Sequence, residues 1–208
     1  IIAAAIAVAS VMPAGAAEAA DVSDVSAVDF KYYPYELQLR HAFNLSTMSR
    51  RSTPGVQVEI TVDGVKGYGE ASMPPYLGES VESAFLSRVD PQRLSDPFAM
   101  EEIHSYLDSL STGDRAAKAA IDIALHDIMG KIAGRPCYSL FGLTPGEMPY
   151  TSFTISNDTP EELERKLAES EPYRIIKVKM GVKGDRELIE WIRSRTDRPI
   201  CTVVHVKF

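Results

Sequence analysis

The sequence has few of the features that mark specialised classes of protein. Only two cysteines, Cys137 and Cys201, occur in 208 residues, and they are not spaced as C-x-x-C. A dense disulfide framework or a zinc ribbon is therefore excluded, and we expect two free, mostly buried thiols. Basic residues form no run and the formal net charge is −7, so we expect no binding to nucleic acid.

Long apolar runs are also missing, because beyond the N-terminus no segment reaches the roughly 18 apolar residues that a membrane span needs. The N-terminal run IIAAAIAVASVM is shorter and precedes two small-x-small triplets, at 14–16 and 17–19, which is typical of a secretory signal peptide. We therefore expect residues 1–24 to be a signal peptide and leader, and the protein to be exported, in particular to the periplasm, without membrane attachment after cleavage. A short buried helix is the alternative, and export would let the two cysteines pair.

What is present begins with a β-rich region over residues 25–71. Apolar and polar residues alternate through VSAVDFKYYPYELQL, which Pro34 interrupts, and again through GVQVEITVDGVKGYGEA. The second stretch predicts a hairpin because its centre, Asp63-Gly64, is a dipeptide favoured in type I′ turns. The intervening HAFNLSTMSRRSTP predicts a loop of about a dozen residues, a length typical of lids or disordered segments.

Helical patterns follow over residues 78–89, 96–110 and 114–134. The last is the longest and ends at a glycine followed closely by a proline. Its apolar residues recur on one face, at Ile121, Leu125, Ile128 and Ile132.

After Gly146 strands and helices alternate, a pattern typical of a parallel sheet covered by helices. The predicted strands are MPYTSFTIS, YRIIKVKMG and RPICTVVHVKF, and the helices between them are TPEELERKLAES and DRELIEWIRSR. The first helix begins with a capping box, formed by Thr159 and Glu162 around a proline at the first helical position.

Lys177 and Lys179 share one face of the strand YRIIKVKMG because side chains alternate along a strand. In a (β/α)₈ barrel this face is the interior, and the carboxyl ends of the strands carry the chemistry. A lysine beside a second cation and shielded from water has a lowered pKa, which suits a general base. A strand edge with both lysines in water fits the spacing equally well.

Four segments, GYGEAS, AAIDIALHDIMGKIAGRPCYSLFG, TSFTIS and IIKVKMG, occur in an order that resembles the enolase superfamily. The resemblance runs from about Val25 to Ile200 and is greatest to the dipeptide epimerases of the muconate-lactonizing branch. It implies an α+β capping domain over residues 25–147, followed over residues 148–208 by the first part of a TIM-type (β/α) barrel, which is incomplete.

The resemblance implies abstraction of a proton α to a carboxylate or carboxamide, with Mg²⁺ stabilising the enolate-like intermediate. Lys179 would be the base on one face of the substrate, and Lys177 would tune it. A lysine on a later strand would serve the other face. The implied substrate is L-Ala-D/L-Glu or a similar dipeptide, which suits turnover of cell-wall peptides by an exported protein, and a homo-oligomer is compatible with a full-length member.

The resemblance also suggests substrate-binding residues, which are Thr154, Arg50, Arg51 and Tyr76. The arginines lie in the predicted loop 46–54 and Tyr76 in the loop 73–80, and these correspond to the capping-domain loops that close over substrate. A guanidinium is suited to hold a carboxylate. The alternatives are that Thr154 satisfies its own backbone and that the arginines are a solvated pair.

No metal ligand is assigned, because the resemblance places the first ligand, an Asp, just after the third barrel strand. No Asp or Glu follows Asp197, and His205 is the only other candidate. The sequence also lacks an initiator Met. We therefore expect a truncated, inactive N-terminal fragment, without the second base and with a poorly soluble edge strand.

Two alternatives remain open. One is another reaction of the superfamily, by a cycloisomerase, an N-acylamino acid racemase or an o-succinylbenzoate synthase. The other is a non-catalytic module that binds peptides with the capping domain, which a peptide-binding isotherm without Mg²⁺ would distinguish.

Overall fold

The computed structural model describes residues 27–44, 49–81 and 83–204. The predicted signal peptide and His205 lie outside these residues. The elements in chain order are β1 (Val28–Asn44), β2 (Ser49–Val62), β3 (Val65–Ser72), α1 (Met100–Leu110), α2 (Arg115–Ala133), α3 (Cys137–Leu140), β4 (Ser152–Ser156), α4 (Pro160–Glu169), β5 (Ile175–Met180), α5 (Asp185–Arg193) and β6 (Ile200–Val204). Within the described part of the chain, none of the helices has the length and hydrophobicity needed to cross a membrane.

The N-terminal unit is an antiparallel sheet in the order β1-β2-β3. The β2–β3 hairpin turns at Asp63 and Gly64, whose φ angles are 48° and 81°, as a type I′ turn requires, so the predicted hairpin is confirmed. Along β2 alternate residues are buried, among them Val58 and Ile60 at 0% exposure. Pro34 does not interrupt β1, because an edge strand tolerates a residue without an N–H donor.

The loop predicted between β1 and β2 is wrong for most of its length. β1 continues to Asn44 and β2 begins at Ser49, with a register shift between Gln38 and Phe43. Arg50 and Arg51 therefore lie on a strand. The polar sequence hid this pairing because most residues of these strand ends are polar, so no apolar alternation marks them.

Helix α2 covers the sheet and confirms the longest helix prediction. It ends at Gly134, which has a φ of 60°. The predicted apolar face is confirmed as buried for Ile121, Leu125 and Ile128, each 0% exposed. The prediction is wrong for Ile132, which is 47% exposed. Ile132 lies in the last turn of α2, one residue before the helix ends at Ala133.

The other two predicted helices are only partly correct. Residues 78–81 and 83–89 form turns and a short 3₁₀ helix, Leu86–Arg88. There Ser83 Oγ accepts a hydrogen bond from the Phe85 N–H, a local bond that competes with helix formation. The helix predicted over 96–110 begins only at Met100, because Asp96 accepts the Phe98 N–H in a turn.

The C-terminal unit is a parallel sheet in the order β4-β5-β6, with α4 and α5 packed on one face. The buried cluster between them comprises Ile155, Leu163, Ile176, Val178, Leu188 and Ile192. This alternation is an incomplete (β/α) barrel, as predicted. One of the two hydrogen bonds of the capping box predicted for α4 is confirmed, because the Thr159 side chain accepts the Glu162 N–H. The other is absent, since the Thr159 N–H donates to Asp158 and not to Glu162.

Both cysteines are free, as predicted, but the prediction that they are buried is wrong. Cys201 lies on the edge strand β6, on the face away from the helices, since it pairs with Lys177. Cys137 begins the short helix α3 and is exposed, with its Sγ donating to the His126 carbonyl of α2 at 3.4 Å.

Candidate active site

The two lysines of β5 lie on the sheet face that α4 and α5 leave open. Parallel pairing aligns Thr154 with Lys177 and Ser156 with Lys179, so these four side chains share that face. Val178 lies between the lysines and is fully buried on the opposite face. The alternation read from the sequence therefore places both ammonium groups side by side.

Lys179 meets the N-terminal unit through an aromatic ring. Its Nζ lies 4.1 Å from the centroid of the Phe43 ring, and the Arg50 guanidinium lies 5.1 Å from the same centroid. Burial, followed by repulsion from Lys177 and Arg50, lowers the pKa of Lys179. The ammonium is therefore easier to deprotonate than an ordinary lysine, as a general base requires.

Arg50 is the best placed of the predicted substrate contacts. Its Nη1 donates to Thr53 Oγ1 at 2.7 Å, and its guanidinium lies 5.9 Å from the centroid of the exposed Tyr76 ring. Its Nε is buried and has no hydrogen-bond partner in the described structure. An unpaired buried donor costs free energy, so an acceptor at Arg50 would be stabilised.

Arg51 does not join this group. It is exposed, and it lies near enough to Asp158 to contribute to the lowered pKa of that carboxylate. The structure thus brings Lys177, Lys179 and Thr154 onto one sheet face with Arg50 and Tyr76 beside it.

Sequence reasoning missed the residues that join the two units. His41 lies between two carboxylates of α4, with Nδ1 3.2 Å from Glu162 Oε2 and Nε2 2.6 Å from Glu169 Oε2. The Asn44 amide donates to the Asn157 carbonyl at 3.0 Å. No pattern in the sequence could have found these contacts, because the partners lie more than 110 residues away.

The comparison with known families decides the classification. Residues 28–142 match the family described as "Mandelate racemase / muconate lactonizing enzyme, N-terminal domain". The chain belongs to this family. Among mandelate racemase/muconate lactonizing enzymes, a relative from Bacteroides thetaiotaomicron named L-Ala-D/L-Glu epimerase is 56% identical over 172 residues, which are 81% of this chain and 45% of the relative. An N-succinyl-L-Arg/Lys racemase from Bacillus cereus is 35% identical, over 84% of this chain and 50% of the relative.

A solved structure shares the architecture. The dipeptide epimerase of Enterococcus faecalis, complexed with Mg and the dipeptide L-Leu-L-Tyr, superposes with a TM-score of 0.73 at 25% identity, covering 86% of this chain and 53% of that one. The named relatives are epimerases and racemases, so the family to which this chain belongs is one of enzymes. The chain spans about half the length of the curated relatives it matches.

Among residues 27–44, 49–81 and 83–204, no group of three or more His, Cys, Asp or Glu side chains could hold a metal. The described residues therefore do not fit a Mg²⁺ site.

A buried ion pair supports the loop after β4. Lys166 is 3% exposed and its Nζ lies 2.8 Å from Asp158 Oδ2, an oxygen that the Asn44 amide also approaches at 3.4 Å. Burial raises the pKa of Asp158, but the hydrogen bonds from Lys166 and from the Thr159 N–H outweigh it, so the pKa is lowered overall.

Replacing Lys166 with alanine is expected to lower the free energy of unfolding by about 2 kcal/mol, because Asp158 keeps its charge without its partner. A carboxylate with a lowered folded pKa stabilises the protein above its unfolded pKa, and that stability is lost as the pH falls through the folded value. The Lys166→Ala effect should therefore shrink below about pH 4. Urea unfolding at several pH values measures it.

The control for this prediction is Arg186→Ala, which removes an exposed ion pair with Glu190. Surface pairs contribute little, so its stability should stay near that of the wild type at every pH. Equal effects of the two variants would contradict the role assigned to Lys166.

Proposed function

We propose that the full-length protein containing this chain is an epimerase of dipeptides of the L-Ala-D/L-Glu type, with Lys179 as the base that removes the α-proton. The observation that carries the proposal is the lowered pKa of Lys179 on the open face of β5, beside a second lysine and opposite Arg50. The names of the relatives support the same reaction class.

The chemistry follows from the charges at this face. The neutral Lys179 amine accepts the proton from the α-carbon, leaving negative charge on the neighbouring carbonyl group. The Lys177 ammonium on the same face offsets that charge. Thr154, aligned with Lys177, is placed to contact the substrate backbone. We also propose that the full-length enzyme depends on Mg²⁺, as the Mg complexes of solved relatives suggest.

The substrate we favour carries a side-chain carboxylate. Arg50 presents a guanidinium with an unpaired buried Nε beside the lysines. Guanidinium groups bind carboxylates by charge-assisted hydrogen bonds. With Lys177 and Lys179 this makes a cationic site, which favours a dipeptide ending in glutamate over an apolar one.

Export to the periplasm and a role in turnover of cell-wall peptides are further parts of the proposal. They rest on the apolar N-terminal run and its small-x-small triplets. Mass spectrometry of the N-terminus of protein from the periplasmic fraction checks export, since cleavage is expected near residue 19. A homo-oligomer stays a prediction.

A second candidate, racemisation of N-succinyl amino acids, is favoured by the relative from Bacillus cereus. The test is to incubate the full-length protein with Mg²⁺ and either L-Ala-L-Glu, L-Leu-L-Tyr or N-succinyl-L-arginine in D₂O, and to follow α-proton exchange by NMR. We expect exchange at the glutamate α-carbon and formation of L-Ala-D-Glu, with slower reaction of the apolar dipeptide. Exchange of N-succinyl-L-arginine alone would favour the second candidate, and binding of dipeptide without exchange would indicate a non-catalytic module.

A further inference from the structure

Residues 41–44, the end of β1 and here called the strap, contact three parts of the barrel unit. His41 binds α4, Asn44 binds the loop that follows β4, and Phe43 lies on Lys179 of β5. A short segment of the N-terminal unit therefore reaches directly to the lysine assigned as base.

Lys179 has little else to fix it. Within the described residues its ammonium has no hydrogen bond and no ion pair, and the ring of Phe43 at 4.1 Å is its one close partner. A lysine side chain has a large rotamer entropy, whereas proton abstraction requires the amine to be held within hydrogen-bond reach of the α-carbon. The ring restricts the side chain where no polar partner does.

The ring is itself held from both sides. Two residues before it, the half-buried His41 uses both ring nitrogens on the carboxylates of α4. The hydrogen bond from His41 is the main reason that the pKa of Glu169 is lowered, and it acts after Arg165 in lowering the pKa of Glu162. One residue after the ring, the Asn44 amide donates to a backbone carbonyl.

We propose that Phe43 is a positioning residue for Lys179, held in place by His41 and Asn44. The inference rests on the proposed role of Lys179 as base. The ring excludes water from one side of the amine and fixes its direction, and the strap makes this arrangement depend on the docking of the N-terminal unit against α4.

Two physical effects of the ring can be separated by substitution. An aromatic face attracts an ammonium, whereas exclusion of water favours the neutral amine. The charged groups that act on Lys179 are Lys177 on its own strand and Arg50 on β2. Because burial is the largest of the causes that lower the pKa of Lys179, we expect water exclusion to outweigh the attraction of the ring. Leucine preserves that exclusion without the π face, and alanine removes both.

The test compares the full-length wild type with Phe43→Ala and Phe43→Leu. Competitive acetylation with acetic anhydride over a range of pH, read by mass spectrometry of the peptide containing Lys179, reports the pH at which its amine becomes reactive. Epimerisation of L-Ala-L-Glu gives kcat and KM. Tyr68→Ala is the matched control, because it removes an exposed ring that lies over Lys66 and Lys131, on β3 and α2.

For Phe43→Ala we expect the acetylation midpoint of Lys179 to move to higher pH, and kcat at neutral pH to fall about tenfold with KM little changed. Phe43→Leu should keep the midpoint at or below the wild-type value and recover part of kcat. Tyr68→Ala should resemble the wild type. An unchanged midpoint in a folded Phe43→Ala, or a Phe43→Leu midpoint as high as that of Phe43→Ala, would overturn the inference.

His41, which holds the strap against α4, gives an independent check. If His41 acts through the ring, His41→Ala should shift the same midpoint in the same direction, and adding it to Phe43→Ala should produce no further shift. Additive shifts would overturn the role of the strap. A shifted midpoint in a protein without epimerase activity would support the effect of the ring on Lys179 and refute only the proposed reaction, so the two failures are distinguishable.

Discussion

Replacing Lys179 with alanine is expected to lower epimerisation of L-Ala-L-Glu by the full-length protein about a thousandfold, within the range that a general base contributes. The variant loses the amine whose pKa is lowered by burial, Lys177 and Arg50. It also loses proton abstraction from one face of the substrate, so α-proton exchange in D₂O should fall with it. NMR of the α-proton measures both.

The matched control is Lys183→Ala, which removes an exposed lysine three residues after β5. It should keep wild-type kcat and KM. Lys179→Ala should also keep the wild-type far-ultraviolet circular dichroism, because the side chain lies outside the buried cluster of the barrel unit. Activity of more than about one per cent in a folded Lys179→Ala would contradict the assignment of Lys179 as base.

This pair of lysines illustrates how much of the site is predictable from sequence. Strand alternation alone places Lys177 and Lys179 on one face, and the structure has them there, opposite the buried Val178. The contact of Lys179 with Phe43 could not be predicted, because it depends on how the two units pack. The same holds for His41, which meets Glu169 across 128 positions of the sequence.

The elements of the fold divide in the same way, into those that the sequence pattern predicts and those that it does not. Elements whose burial repeats with a regular period, such as α2 and β2, were predicted because the hydrophobic pattern is itself the signal. The segment 41–54 has the polar composition of a loop, although its ends pair as strands through backbone hydrogen bonds that leave no regular apolar alternation in the sequence. Residues 78–89 had a helical pattern, but local side-chain bonds and Gly78, with a φ of 70°, gave turns instead.

Gly69 in the motif GYGEAS has a structural reason to be glycine. A Cβ built there would lie 1.8 Å from the carbonyl oxygen of Ala120 on α2 and 2.9 Å from the backbone nitrogen of Ala124. Gly67, on the same face of β3, would bring a Cβ to 2.1 Å from the Ala124 oxygen. The helix therefore rests directly on the backbone of β3, with alanines facing glycines.

Gly69→Ala is expected to lower the free energy of unfolding by about 3 kcal/mol, at the upper end of the usual cost of overpacking. The clashing atoms belong to the helix backbone, so no side-chain rotation relieves them. α2 would have to move away from the sheet and loosen the contacts of Ile121, Leu125 and Ile128, which are fully buried. Urea unfolding monitored by circular dichroism measures the change.

Gly146→Ala is the control for the same chemical change. A Cβ at Gly146 would meet no atom within 4 Å, and its φ is not positive, so alanine should be neutral or slightly stabilising through the unfolded chain. If Gly69→Ala were as stable as Gly146→Ala, the close contact of α2 with β3 would be wrong. Because the strap extends from this sheet, a loosened α2 in Gly69→Ala should leave the Lys179–Phe43 contact weaker as well, and the acetylation midpoint of Lys179 should rise.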